Sequence, residues 1–186
     1  MLILSLDIYG NPNEWVTVQD AVTKQAKNQV AWSLGENIFT LHGGKSRLTG
    51  EISELSTPSI IAVRSESKSK YVNRVPTLTN RALFRRDRNI CAYCGKHFGV
   101  DDLTREHIIP RCQQGKDIWT NVVAACVKCN QRKDGRTPEQ ANMQLLYVPY
   151  VPSNAEHLIL MNRNILHDQM EFLMQFVPKH SRLFVS

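Results

Sequence analysis

The sequence predicts an α+β protein, and three observations predict it. Over the first third, short apolar runs alternate with one amphipathic segment. In the centre, two Cys-x-x-Cys pairs bracket a strand-like stretch, and near the end an apolar stripe repeats at helical spacing. Length fits this picture, since 186 residues suit one compact domain or two small ones.

Leu2–Leu6 reads as a strand, and Gly10-Asn11-Pro12-Asn13 as a turn. Val16 to Lys27 is expected to form a helix, with Val18, Ala21, Val22 and Ala26 on one face. Val30–Leu34 and Ile38–Leu41 read as two short strands, Gly43-Gly44 as a break, and Ser59–Val63 as a buried strand. These elements give a small strand-helix-strand region over 1–64. The polar, unpatterned run Ser65–Lys70 then marks a linker over 65–78.

Thr79 is placed to cap a short helix through Arg88, with Leu83 and Phe84 turned inward. This helix opens a core assigned to 79–137. A C-terminal extension follows over 138–186. There, Thr137-Pro138-Glu139-Gln140 carries a helix start and Ser153 with Glu156 a second capping pair. The prolines of Tyr147–Pro152 exclude helix, because they remove donors and restrict their neighbours. A last helix is expected over 164–177. Ile165, Leu166, Met170, Leu173, Phe176 and Val177 form its apolar face, and Pro178 ends it.

Charge and cysteine usage narrow the chemistry. The formal net charge is +6 and the pI about 9.2, a balance that suits a polyanionic partner. No stretch is long and apolar enough to span a bilayer, so no membrane partner is expected. The apolar N-terminus is short, lacks a basic leader and is interrupted by Asp7, so it reads as a strand and not a signal peptide. The five cysteines are therefore expected in a reducing cytoplasm, where paired cysteines more often hold metal than form disulfides.

Cys91-Ala92-Tyr93-Cys94 and Cys126-Val127-Lys128-Cys129 are the two pairs. A two-residue gap lets both thiolates of a tight knuckle reach one ion, and two knuckles supply the four sulfurs that tetrahedral zinc prefers. Gly95 stands where such a knuckle needs a permissive backbone. Two disulfides or four core thiols are the competing readings. Cys112 lies outside the pattern and reads as a partly buried free thiol.

Between the knuckles, Leu103–Ile109 reads as a strand with a turn at Pro110 to Gly115. Glu106 and His107 are adjacent, so a regular strand points them to opposite sides. Asn121 precedes an apolar pair, and Asn130 follows the second knuckle directly. Gln131 and Lys133 sit where a short helix is expected to begin.

An acid-His dyad before an apolar pair and Pro, an Asn before an apolar pair, and Cys-x-x-Cys-Asn-x-x-Lys inside a cysteine clamp resemble the HNH nuclease family. The likeness runs from about Leu83 to Thr137. It implies the ββα-metal arrangement, in which two strands and a helix grip one divalent ion. It implies His107 as the general base, and Glu106 with Asn130, at the start of the helix, as ligands of that ion. Asn121 would brace the loop that orients His107. Zinc at Cys91, Cys94, Cys126 and Cys129 would hold the ends together. Relatives often carry Asp before the His, where this chain has Glu106. The N-terminal region also resembles the cap of bacterial HNH proteins through Leu2–Asp7, Trp15-Val16 and Pro58–Ile61.

The implied chemistry is phosphodiester hydrolysis in DNA. A neutral imidazole, with a pKa of about 6.5, can take a proton from water near neutral pH. Oxygen ligands suit Mg2+ or Mn2+ and leave positions open for phosphate and water. Arg111, Arg132 and Lys133 are candidate phosphate contacts. One active site cuts one strand, so a double-strand break would need a homodimer or two sequential events. The competing reading is a non-catalytic, zinc-stabilised DNA-binding module. The acid-His pair speaks against it, since a binding module does not need that pair.

Overall fold

The computed structural model describes residues 1–64, 75–179 and 181–184, apart from the side chains of 36–38 and 53. The polar run Ser65–Lys70 lies outside these residues, as does most of the expected linker. In chain order the elements are β1 (Ile3–Leu6), β2 (Pro12–Val16), α1 (Val18–Ala26), β3 (Val30–Lys45), β4 (Ile52–Val63) and α2 (Asn80–Arg86). They continue with β5 (Leu103–His107), β6 (Val122–Cys126), α3 (Val127–Lys133), α4 (Asn154–Met161) and α5 (His167–Met174). Helices and sheets are both present, so the class is α+β. The chain divides into two compact units. One is Met1–Arg74 with Ser153–Ser181, and the other is Val75–Pro152 with Arg182–Ser186.

In the first unit the sheet order is β2-β1-β4-β3. β1 pairs antiparallel with β2 and parallel with β4, and β3 pairs antiparallel with β4. β1 is buried along its whole length, which its uninterrupted Ile-Leu-Ser-Leu run requires. Ile3, Val16, Ala21 and Ile61 form the core of this unit. The Thr17 hydroxyl accepts from the Asp20 amide, so α1 begins at Val18 and the expected first turn belongs to β2. The two short strands expected at 30–41 are one long strand. Register shifts between Leu34 and Asn37 and between His42 and Lys45 absorb the glycines, so Gly43-Gly44 bends the ladder without ending it.

α5 is shorter than the sequence suggests. Gln169 accounts for the later start. Its Oε1 accepts from the Leu166 amide at 3.1 Å, which sets the helix start, while its Nε2 donates to the carbonyls of Leu2 and Ser59. Leu173 and Val177 of the apolar stripe are buried, whereas Phe176 is exposed. The helix expected from Thr137 is absent. Thr137 and Gln140 do exchange their capping hydrogen bonds, but Asn142 enters the left-handed region at φ 50° and closes the chain after one turn.

The second unit is built on the antiparallel hairpin β5·β6, with Leu103 opposite Cys126 and His107 opposite Val122. Thr79 caps α2 through the Ala82 amide. Leu83 and Phe84 of α2 pack with Leu103, Trp119, Val122 and Ala124. Each fully buried aliphatic chain in such a core contributes roughly 1.5–3 kcal/mol. α3 starts earlier than expected, because Cys126 in extended backbone serves as its N-cap. Asn130 is therefore inside the helix, and Lys133 is its last residue and not near its first.

Candidate metal and nucleic-acid site

The two knuckles form at opposite ends of the hairpin sequence and meet in space. In the first, the Gly95 amide donates to the Cys91 carbonyl, and Gly95 takes φ 71°, a conformation that favours glycine. The Ala92 amide donates to the Ala124 carbonyl, which ties this knuckle to β6. The second knuckle is the start of α3. All four sulfurs lie within 4.8 Å of one another. Tetrahedral zinc with Zn–S bonds of about 2.3 Å needs sulfurs about 3.8 Å apart, so the cluster fits zinc with little movement.

The electrostatics of the thiols point the same way. Burial raises the Cys91 thiol, but N–H groups of Cys126, Cys94 and Tyr93 outweigh it and bring the pKa down to about 7. Burial, together with the neighbouring Cys126 and Cys91, pushes Cys129 well above the usual thiol range, and burial also raises Cys94. The Cys91 thiolate forms readily while Cys94 and Cys129 resist. A shared cation removes that conflict, and no disulfide joins the described cysteines. Cys112 is exposed and not partly buried as the sequence suggests, and its Sγ lies 3.6 Å from the Gly135 carbonyl, outside the group of four.

β5 sorts its side chains by face. Arg105 and His107 share one side with Asp117: Arg105 donates to Asp117 Oδ2 at 2.6 Å, and His107 Nε2 lies 3.0 Å from Oδ1. Arg105 also donates to Asn80 Oδ1 and the Leu78 carbonyl. An ionised carboxylate only accepts, so Nε2 carries the proton and Nδ1 is the free acceptor of the neutral ring. Asp117 was not singled out from the sequence. It stands ten residues beyond His107 in the loop between β5 and β6, and no local pattern couples them.

Thr104 and Glu106 occupy the other face, toward α3. Thr104 Oγ1 donates its one proton to the Ala125 carbonyl at 2.9 Å, so toward Asn130 it accepts. This fixes the Asn130 carboxamide with Nδ2 on Thr104 and leaves Oδ1 as the end that could face a cation. Glu106 is buried, and its Oε1 lies 2.5 Å from Lys133 Nζ. Burial raises the Glu106 carboxyl above its usual range, and Lys133 pulls against that. A buried carboxylate, an amide and a hydroxyl on one seam are the hard-oxygen donors that Mg2+ or Mn2+ takes. The ammonium at Glu106 shows that the seam accepts positive charge. The residues present therefore fit a divalent ion.

Asn121 braces the loop between β5 and β6. Its Oδ1 accepts from the Ile109 amide, and its Nδ2 donates to the carbonyls of Ile109 and Lys116. This ends β5 at His107, two residues before the expected strand end. The turn behind it is tight: a Cβ at Gly115 would sit 1.7 Å from the Ile109 carbonyl oxygen. Arg111 and Arg132 are exposed, whereas Lys133 is wholly buried and donates to Glu106 and to the His107 carbonyl. Among the described residues no helix is long and apolar enough to cross a membrane.

Residues 91–146 match the family model described as HNH endonuclease. A 49-residue stretch is 45% identical to the CRISPR-associated endonuclease Cas9 of Corynebacterium diphtheriae. That stretch is 26% of this chain and 4% of the length of that protein. The segment that carries both knuckles, β5, β6 and α3 is thus a domain of the HNH endonuclease family.

Proposed function

We propose that this protein is a metal-dependent endonuclease that hydrolyses phosphodiester bonds in DNA. One observation carries the reading. Within a domain of the HNH endonuclease family, adjacent residues of β5 present a histidine to one face and a buried carboxylate, beside an asparagine of α3, to the other. Glu106 and Asn130 are the residues that would hold Mg2+ or Mn2+. When bound, such an ion stabilises charge at the phosphate and at the leaving oxygen. His107 takes the proton from the attacking water on Nδ1, since Nε2 is committed to Asp117. Asn121 keeps the chain after His107 in place through its three backbone hydrogen bonds. Cys91, Cys94, Cys126 and Cys129 hold a structural zinc, and unpaired thiols of this kind suit a reducing cytoplasm. Arg111 and Arg132 offer exposed charge to the DNA backbone.

The test is cleavage of supercoiled plasmid with Mg2+ or Mn2+, with and without His107→Ala. The variant is expected to fold, keep its zinc and bind DNA, while its cleavage rate falls by about a hundredfold or more, the scale for losing a positioned base. A variant that nicks plasmid at the wild-type rate would remove this mechanism. A wild type that binds plasmid without ever cutting it would leave a DNA-binding module.

A further inference from the structure

Lys133 is the least expected part of the site. Lysine is seldom fully buried, yet this one has no exposed surface and lies at the C-terminal end of α3. Its Nζ is 2.5 Å from Glu106 Oε1 and 2.9 Å from the His107 carbonyl. It thus spans both residues of the dyad, through a side chain of one and the backbone of the other. Asn130 lies three residues earlier on the same helix, so Lys133 and Asn130 face the same seam of β5.

Resting on the reading of Glu106 as an ion ligand, we propose that Lys133 is a resident counter-cation that occupies the Glu106 seat and that a divalent ion must displace. The reason is charge balance. Glu106 and Lys133 together are neutral, which is how a buried carboxylate is tolerated. A dication added beside the ammonium would set three positive charges against one carboxylate, between side chains that are both buried. An ammonium at 2.5 Å from Oε1 also competes directly with an ion for that oxygen. The lysine therefore lowers divalent affinity, and removing its charge raises it.

The experiment counts free Mn2+ by electron paramagnetic resonance in zinc-loaded, chelator-free protein without DNA. Lys133→Met keeps the aliphatic volume, and Lys133→Gln keeps a hydrogen-bond donor without the charge. Each is compared with wild type and Glu106→Gln, with folding and zinc content checked first. At least one folded Lys133 variant is expected to bind Mn2+ tenfold or more tighter than wild type, and Glu106→Gln to lose binding. Folded Lys133 variants with equal or weaker Mn2+ binding would overturn the counter-cation while leaving Glu106 as a ligand. Unchanged binding in Glu106→Gln would overturn both. Should neither Lys133 variant fold, 15N-lysine spectra of the wild type decide. The buried ammonium is expected to lose its exchange protection as Mg2+ is added, and an ammonium that stays protected at saturating Mg2+ overturns the proposal.

Discussion

At the scale of single residues, the site separates positioning from contact. Asp117 holds both Arg105 and His107, yet it is about half exposed, so its ion pairs contribute little to stability. Its value is in ring orientation. Asp117→Ala is expected to leave the melting temperature nearly unchanged and to lower the cleavage rate about tenfold, the low end for losing an orienting partner. An unaltered rate in a plasmid assay would show that the imidazole is held by something else. Cys112 gives the contrasting case. It lies outside the four-sulfur cluster, with its Sγ 3.6 Å from the Gly135 carbonyl. Cys112→Ser should retain one zinc per chain by elemental analysis and full cleavage. Loss of zinc would mean that the ligand set is misassigned.

At the scale of elements, α2 shows what the sequence concealed. Arg86 and Asp87 read as ordinary charged residues near a helix end, yet both side chains are fully buried. The Arg86 guanidinium donates to Asp87 and to the carbonyls of Trp119, Tyr150 and Val122. It also lies 5.4 Å and 5.6 Å from the ring centroids of Trp119 and Tyr150. Asp87 in turn accepts from the Ala124 amide of β6. Arg86→Met leaves that buried carboxylate with only Arg182, 3.9 Å away, as a cation and is expected to cost about 3–5 kcal/mol in denaturant unfolding. A loss below about 1 kcal/mol would show that the pair is dispensable. The knuckles, β5 and the Thr79 cap were legible because their signals are local: a spacing, an alternation, one hydroxyl before a helix. The Glu106–Lys133 and His107–Asp117 pairs were not. Each joins residues 27 and 10 positions apart across a fold, and nothing in either one's neighbours marks the partner. Thr137 failed in the other direction: its capping signal was real, and Asn142 overrode it one turn later.

At the scale of the whole molecule, each unit carries its own core, and only one is tied to the cysteines. Ile3, Val16, Ala21 and Ile61 form the core of the first, whose α4 and α5 attach through Trp15 to the Leu158 carbonyl and Gln169 to Leu2 and Ser59. Those links join residues more than a hundred positions apart, which is why the sequence assigned both helices to a separate extension. In the second unit, Cys91, Ala125 and Cys126 are themselves core residues, so the four-cysteine cluster and the packing are one structure. Binding of structural zinc is worth on the order of 10 kcal/mol, about the whole stability of a small domain. Removing the metal should therefore unfold the second unit, while the first, which contributes no sulfur, keeps its fold. Hydrogen exchange on the full chain tests this directly. After chelation, or in Cys126→Ser, the amides of β5 and β6 are expected to exchange freely, while those of Ile60, Ile61 and Ala62 in β4 stay protected. Trp119, buried against the Pro76 carbonyl, should become solvent-quenched in the same step. Protection that survives chelation in β6 would mean that the hairpin stands without metal, and loss in β4 at the same point would mean that the two units fold as one.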